Sequence, residues 1–303
     1  MKFTFRQLEY FAVLSEHPTL SSAAAALHVS ESALSHSITD LEKSVGVQLC
    51  QRRKARGLSL TPAGRYFAER ARMLIQDAIE LANETSTADG HLRGPVRLGC
   101  FAGVANNVLP TLLEGFPKAH PDVSIELTIG TDDSLLPGLY GGKLDFVILY
   151  DMLLPPNLHR RTIYETEVTA VVPGAHRLAG QESISLADLI DEPFIMVDSR
   201  PSTENTYRIF REQGLVPRMS ASVPLVELAK ALVGRGLGYS LLMSRPNATN
   251  LTTEGREIAA RPLAPRAGLS SVVAVWPEGF ELTPRARALM DFAAGRLGGS
   301  SSG

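Results

Sequence analysis

Ser30, Ser32, Ser35, His36, Ser37 and Thr39 lie within one decade of sequence and, wound into a helix, share its outer face with Glu31. Short hydroxyls and an imidazole can each donate and accept a hydrogen bond, which is what contact with base edges in a major groove requires. The candidate base-reading residues are Ser30, Ser32, Ala33, Ser35, His36 and Ser37, Ala33 also counting toward the apolar stripe behind them. Further on, Lys43, Arg52, Arg53, Lys54, Arg56, Arg65, Arg70 and Arg72 stand against a single acid, Glu69. The run Arg52-Arg53-Lys54-Ala55-Arg56-Gly57 is too charged for a core and suits phosphate contact or entry into a minor groove. Alone, it reads equally as a solvated basic hairpin. Beside a helix-turn-helix it reads as a DNA-binding wing, with Thr61 and Arg65 at its exit. The whole chain has a net charge of −2, so this footprint is a local patch. Double-stranded DNA is the first partner to consider.

Three short helices and two strands must hold these groups. Phe5, Leu8, Phe11, Ala12 and Leu14 fall at helical spacing and predict a first helix. Ser21 predicts the N-cap of a second, Ser21 to Leu27, with small Ala23 to Ala26 inside it. After the turn His28-Val29-Ser30, Ser30 caps a third helix whose stripe is Ala33, Leu34, Ile38 and Leu41, and Gly46 ends it. Val47-Gln48-Leu49 and Leu58-Ser59-Leu60 read as the strands flanking the basic tip. Thr61-Pro62 starts a long helix, an N-cap followed by proline at the first helical position. In it Phe67, Ala71, Leu74, Ala78 and Leu81 recur at alternating spacings of four and three, the seam of a left-handed coiled coil. Pairing with a second copy is the preferred reading, an amphipathic helix lying on its own domain the alternative. The helix should fade near Ala88-Asp89-Gly90, with Gly94-Pro95 as the boundary.

Beyond Val96 strands and helices alternate. Strands are expected at Val96–Gly99, Val123–Ile129, Asp145–Leu149, Val168–Val172, Phe194–Val197, Met219–Val223 and Tyr239–Leu242. Helices are expected at Val104–Phe116, Thr203–Gln213 and Leu225–Val233. This is an α/β pattern with parallel strands. The strand Val272–Trp276 and the helix Pro284–Leu297 fit either of two units.

The N-terminal motifs resemble one family. Leu8-Glu9-Tyr10-Phe11, Thr19-Leu20-Ser21-Ser22-Ala23-Ala24, Leu27-His28-Val29-Ser30, Ala33-Leu34-Ser35, Leu41-Glu42, Gly46-Val47-Gln48-Leu49 and Leu58-Ser59-Leu60-Thr61-Pro62-Ala63-Gly64 are similar to the DNA-binding domain of LysR-type transcriptional regulators. Gly130 to Leu136, Gly141 to Ile148 and Leu232 to Ser240 resemble the effector domain of the same regulators. The chain departs from the usual pattern at Glu31-Ser32, where Gln-Pro is common, at His36-Ser37, where Arg-Gln is common, and at Cys50, where an aromatic is usual. Two of these changes fall on the reading surface and remove a cation from it.

The resemblance implies an all-α winged helix-turn-helix over 1–61, a dimerisation helix over 62–91, and a two-lobed α/β effector domain of the type II periplasmic-binding-protein fold over 92–297. Lobe 1 would be about 92–163 and 266–297, lobe 2 about 164–265, with 298–303 a Gly/Ser tail. It also implies a homodimer or homotetramer joined through Phe67, Ala71, Leu74, Ala78 and Leu81, and a small-molecule effector held between the lobes. In open α/β sheets ligands sit beyond the carboxyl ends of strands, where helix N-termini offer free N–H groups. That rule selects Cys100, Phe101, Ala102, Gly103, Thr131 and Tyr150 in lobe 1, and Ser199, Arg200, Ser202 and Thr203 in lobe 2, a set suited to an organic acid. Ser202 and Thr203 read equally as helix caps, and for Arg200 a surface ion pair is the preferred reading. Family members often carry a hydroxyl where Cys100 or Ala102 stands. The rival function is a DNA-binding oligomer whose second half assembles and senses nothing.

Enzyme readings find little support. Gly234-Arg235-Gly236-Leu237-Gly238 lacks dinucleotide-loop spacing and precedes a strand rather than following one. There is no phosphate loop and no Gly-x-Ser-x-Gly elbow. The 7 histidines show no metal-ligand spacing, so neither metal nor cofactor is expected. Two cysteines in different predicted domains form no disulfide framework. With no run of about 18 apolar residues and no apolar core in Met1 to Arg6, a cytoplasmic protein without a membrane segment is expected.

Overall fold

Thr4, Thr19 and Ser30 decide where the first three helices begin. In the computed structural model, which describes residues 3–53, 57–86, 91–244 and 250–298, Thr4 and Gln7 form a capping box at the start of α1 (Phe5–Leu14). Thr19 and Ser22 do the same for α2 (Leu20–Ala26), so the cap of the second helix lies two residues before the Ser21 predicted above. Ser30 Oγ accepts the Ala33 N–H at 3.2 Å and opens α3 (Glu31–Val45), which closes at Gly46 in the left-handed region (φ 82°). Phe11 and Leu14 of α1 meet Leu34, Ile38 and Leu41 of α3 in one buried core, with small Ala23 and Ala24 letting α2 approach. Ala33 is exposed and belongs to the outer face rather than to the stripe.

The wing strands are β1 (Cys50–Arg53) and β2 (Gly57–Leu60), antiparallel with Cys50 opposite Leu60. β1 begins three residues later than Val47. The reason is tertiary: Glu42 Oε1 on α3 accepts the N–H groups of Leu49 (2.7 Å) and Cys50 (2.8 Å), pinning the entry to the wing against the helix. Thr61 caps α4 (Pro62–Ser86) through the Gly64 N–H at 2.9 Å. A Cβ at Gly64 would collide with the Leu49 carbonyl oxygen, so only glycine allows this helix to pass so close to the wing.

In the C-terminal domain β3 (Gly94–Phe101) lies between parallel neighbours β4 (Val123–Gly130) and β5 (Phe146–Tyr150). Helices α5 (Ala102–Ala119), α6 (Asp132–Tyr140) and α9 (Pro284–Gly298) accompany this part of the sheet. The sheet is mixed, because β11 (Ser270–Pro277) returns antiparallel against β5 and the long β6 (Leu158–Pro173) runs antiparallel to β11. β6 is the bridge between halves: Leu158–Thr166 pair with β11, and Glu167–Pro173 pair with β9 (Ser240–Ser244) and β10 (Ile258–Pro262). The second half adds the parallel pair β7 (Pro193–Val197) and β8 (Arg218–Val223), with α7 (Ser202–Glu212) and α8 (Val226–Gly234). One core joins Val96–Tyr164 residues to Val272–Leu297; two others draw only on residues between Val168 and Leu263. Among the described residues no helix is long and apolar enough to cross a membrane.

Candidate functional site

Two surfaces could hold a partner. The first is the outer face of α3, where Ser30, Ser32, Ala33 and His36 are exposed and Ser35 and Ser37 half-buried. The Ser30 hydroxyl is engaged as a cap and lies 3.1 Å from the Ser32 hydroxyl. Thr39 is turned back on its own helix, donating to the Ser35 carbonyl at 2.9 Å. Thr61 and Arg65 serve the fold: Thr61 Oγ1 donates to the Gln48 carbonyl (2.8 Å), and Arg65 donates to the Leu60 carbonyl (3.2 Å). Arg52 and Arg53 occupy β1, while Lys54 and Arg56 lie outside the described residues.

The predicted pairing seam divides. Phe67 stands edge-on to Phe3 and Phe11 (centroids 6.0 and 5.5 Å away) and so packs on its own domain, and Ala71 is buried at 2% exposure. Leu74 and Leu81 are 52% and 65% exposed, with Ile79 beside them. Ala78 is also exposed.

The second surface is a cavity of about 250 Å³ between the halves of the C-terminal domain. Three helices begin on it: α5 after Phe101, α7 after Pro201 and α8 after Leu225, none of whose first turns receives a side-chain cap. Helices α1, α2 and α3, by contrast, are each capped by a hydroxyl. First turns without a side-chain cap present N–H groups and the positive end of the helix dipole, although in α7 the Thr203 N–H already donates to the Ser199 carbonyl at 3.2 Å. The apolar wall is Val168, Val197, Leu241 and Leu242, with Phe101 and Tyr150 edge-on at 5.8 Å. Burial pushes the Tyr150 phenol up, so it stays a neutral hydroxyl. The charged pair in the lining, Glu227 and Lys230, neutralises itself at 2.9 Å.

Of the residues selected by the strand-end rule, Phe101, Ala102, Gly103, Tyr150, Ser199 and Ser202 line this cavity. The others do not. Cys100 is buried within β3, where desolvation pushes its thiol up to about 12. Thr131 is exposed at the start of α6. Arg200 pairs with Glu204 at 2.7 Å on the surface, and Thr203 Oγ1 donates to the Val197 carbonyl at 3.2 Å. The rule missed Asn106 and Asn107 on α5, Asn205 and Thr206 on α7, and the α8 terminus. Helical spacing carries that signal, since Asn205 and Thr206 follow Ser202 by three and four residues and so share its face. The sequence Val223-Pro224-Leu225-Val226 likewise joins a strand end to a helix start.

Two family models match this chain. Residues 5–65 match "Bacterial regulatory helix-turn-helix protein, lysR family", and residues 89–298 match "LysR substrate binding domain". The transcriptional regulator ShiR of Corynebacterium glutamicum (strain R) is 32% identical over 268 residues, 84% of this chain and 90% of that protein. A probable hydrogen peroxide-inducible genes activator of Streptomyces viridosporus is 31% identical over 265 residues, 86% of this chain and 84% of that protein. The crystal structure of HinK, a LysR family transcriptional regulator from Pseudomonas aeruginosa, superposes with a TM-score of 0.64 at 34% identity, covering 98% of this chain and 99% of that one. A helix-turn-helix with a wing at one end, and a two-lobed domain with a cleft at the other, thus belong to a LysR-type transcriptional regulator, a DNA-binding protein with a substrate-binding domain.

Proposed function

We propose that this regulator senses a small organic acid bound between its lobes, and that it acts as a homo-oligomer on DNA in the cytoplasm rather than as an enzyme. The observation that carries the effector reading is the convergence of three helix N-termini without side-chain caps on one partly apolar cavity, whose lining among the described residues holds no unneutralised cation. A carboxylate would complete one or more of those caps, while the wall at Phe101, Tyr150 and Leu241 would receive a hydrocarbon body. Polar groups face the cavity from both sides, Asn106 and Asn107 opposite Ser199 and Ser202, which supports sensing over a purely assembling domain. A peroxide response of the kind named for the Streptomyces relative would need a reactive thiolate, whereas Cys50 and Cys100 are both buried. DNA contact is assigned to the outer face of α3 and to the wing arginines Arg52 and Arg53. Self-association is assigned to α4, through Leu74, Ile79 and Leu81.

The test is a thermal-shift panel on the full chain, comparing small carboxylates with their amides. Carboxylates should raise Tm and the matched neutral amides should not; Ser202→Ala should weaken the response about ten-fold. Stabilisation by the amides alone, or by neither class, would overturn the organic-acid reading.

A further inference from the structure

Asn205 and Thr206 are 8% and 5% exposed, yet both line the cavity on α7. Arg208 Nη2 donates to Asn205 Oδ1 at 2.7 Å, and Glu212 Oε1 holds the same guanidinium through Nη1 at 2.8 Å. A guanidinium only donates, so this contact fixes which way the amide points. The Asn205 oxygen is engaged by Arg208, and its Nδ2 is left without a protein partner among the described residues. The Thr206 hydroxyl has none there either. A buried wall thus presents an oriented amide donor, with a hydroxyl beside it, next to the apolar surface of Val168 and Leu241.

We propose that Asn205, held in orientation by Arg208, is a specificity-determining residue that selects acids bearing a second acceptor oxygen beyond the carboxylate, as a hydroxyl, carbonyl or further carboxylate. This rests on the organic-acid reading above. Buried donors left unpaired cost more than paired ones return, so an isosteric methyl at that position is rejected more strongly than the gain of one hydrogen bond alone suggests. Arg208 acts through Asn205 and is a positioning residue; it does not line the cavity.

The experiment is titration calorimetry on the full chain with matched acids in which one oxygen is exchanged for carbon. 2-Hydroxybenzoate is set against 2-methylbenzoate, and 2-oxo-3-methylbutanoate against 2,3-dimethylbutanoate. The unaltered protein should prefer the oxygenated member of at least one pair by about ten-fold. Asn205→Asp, which offers an acceptor in place of the donor, should abolish that preference for the 2-oxo acid, whose carbonyl can only accept. Arg208→Ala, which frees the amide to turn, should narrow it to within about three-fold without weakening the methylated member. Thr206→Val supplies a second variant should Asn205→Asp fold poorly, and should also narrow the preference. Equal binding of both members by the unaltered protein, or an unchanged preference in Asn205→Asp, would overturn the inference while leaving the organic-acid reading intact. Equal weakening of both members in Arg208→Ala would show a merely structural role and overturn the positioning step. If no acid in either pair binds, the organic-acid reading falls and the inference falls with it.

Discussion

Arg72, midway along α4, ties three parts of the chain together. Its Nε donates to the Gly141 carbonyl of the effector domain at 2.7 Å, and its Nη1 donates to Ser15 Oγ, just past α1, also at 2.7 Å. Glu16 adds a longer contact at 3.9 Å and pairs with Lys143 of the effector domain at 2.8 Å. The Arg72 side chain is 20% exposed, and Gly141 is buried. Replacing Arg72 by alanine removes two charge-assisted bonds and leaves a buried carbonyl unpaired. Each bond to a charged donor is worth about 1.5–3 kcal/mol, and discounting for partial exposure gives about 2–4 kcal/mol for the junction. Opening of this junction should therefore rise about 30- to 800-fold. Native-state hydrogen exchange reads it directly at the amides of Glu16, Gly142 and Lys143, which are bonded to Val13, Leu139 and Gly138 carbonyls. Arg72→Lys should recover only part of the loss, because one ammonium cannot span both acceptors. Lys143→Ala should do little, about 0–1 kcal/mol, since its side chain is 55% exposed. Unchanged exchange at these amides in Arg72→Ala, with an unchanged melting curve, would refute the junction.

Leu74→Lys places a charge on an exposed apolar stripe, so the single chain should fold normally while assembly and operator binding fall; an unchanged mass by light scattering would count against α4 as the interface. Arg52→Ala with Arg53→Ala should weaken binding to all DNA sequences and flatten the salt dependence, whereas His36→Ala should change base preference; a gel-shift titration with identical salt slopes would refute the wing assignment. Burial, and then the neighbouring Asp133 carboxylate, push the Asp132 carboxyl up to about 6, against the pull of Arg200, and its Oδ1 is buried with no partner among the described residues. The folded chain therefore holds this proton more tightly than the unfolded chain, so stability should fall as pH rises from about 4 to about 6 and then level off. Asp132→Asn should remove that slope, and a variant retaining it in Tm-against-pH measurements would refute the assignment.

The winged domain was legible because its determinants are local. Caps such as Ser30, terminators such as Gly46 and the stripe Leu34-Ile38-Leu41 act within a few residues of one another. The two displaced elements moved for reasons that spacing cannot carry. Thr19 competes with Ser21 for the same cap, and Glu42 reaches across to fix where the first wing strand begins. The α4 seam shows a different limit. Periodicity reports that a face is apolar but not what covers it, and Phe67 is covered by Phe11 of the chain's own α1. β6 was half hidden, since Leu158 to Arg161 contain His159, Arg160 and Arg161 and show no apolar alternation. In the cleft, the strand-end rule picked the α5 and α7 termini, which line the cavity. Thr203 and Arg200 were then drawn into local bonds, and the donors deeper in α7 took the cavity wall.

Those positions constrain how a ligand could change DNA binding. The bonds of Arg72 and Glu16 end on Gly141 and Lys143, which lie in the same half of the effector domain as β3 and β5. The contact of Arg70 with the Phe280 ring, 5.9 Å from its centroid, ends there too. The winged domain is therefore coupled to lobe 1, while α7 and α8 belong to lobe 2. Closing lobe 2 onto a ligand would leave the winged domain in place within one chain unless the Arg72 junction opens. An effector that binds both arrangements equally shifts neither. Its signal must pass either by loosening that junction or by moving lobe 2 against another copy, and the Arg72 variants separate these routes. If the junction is the route, Arg72→Ala should uncouple effector from operator affinity; if assembly is the route, coupling should survive the substitution.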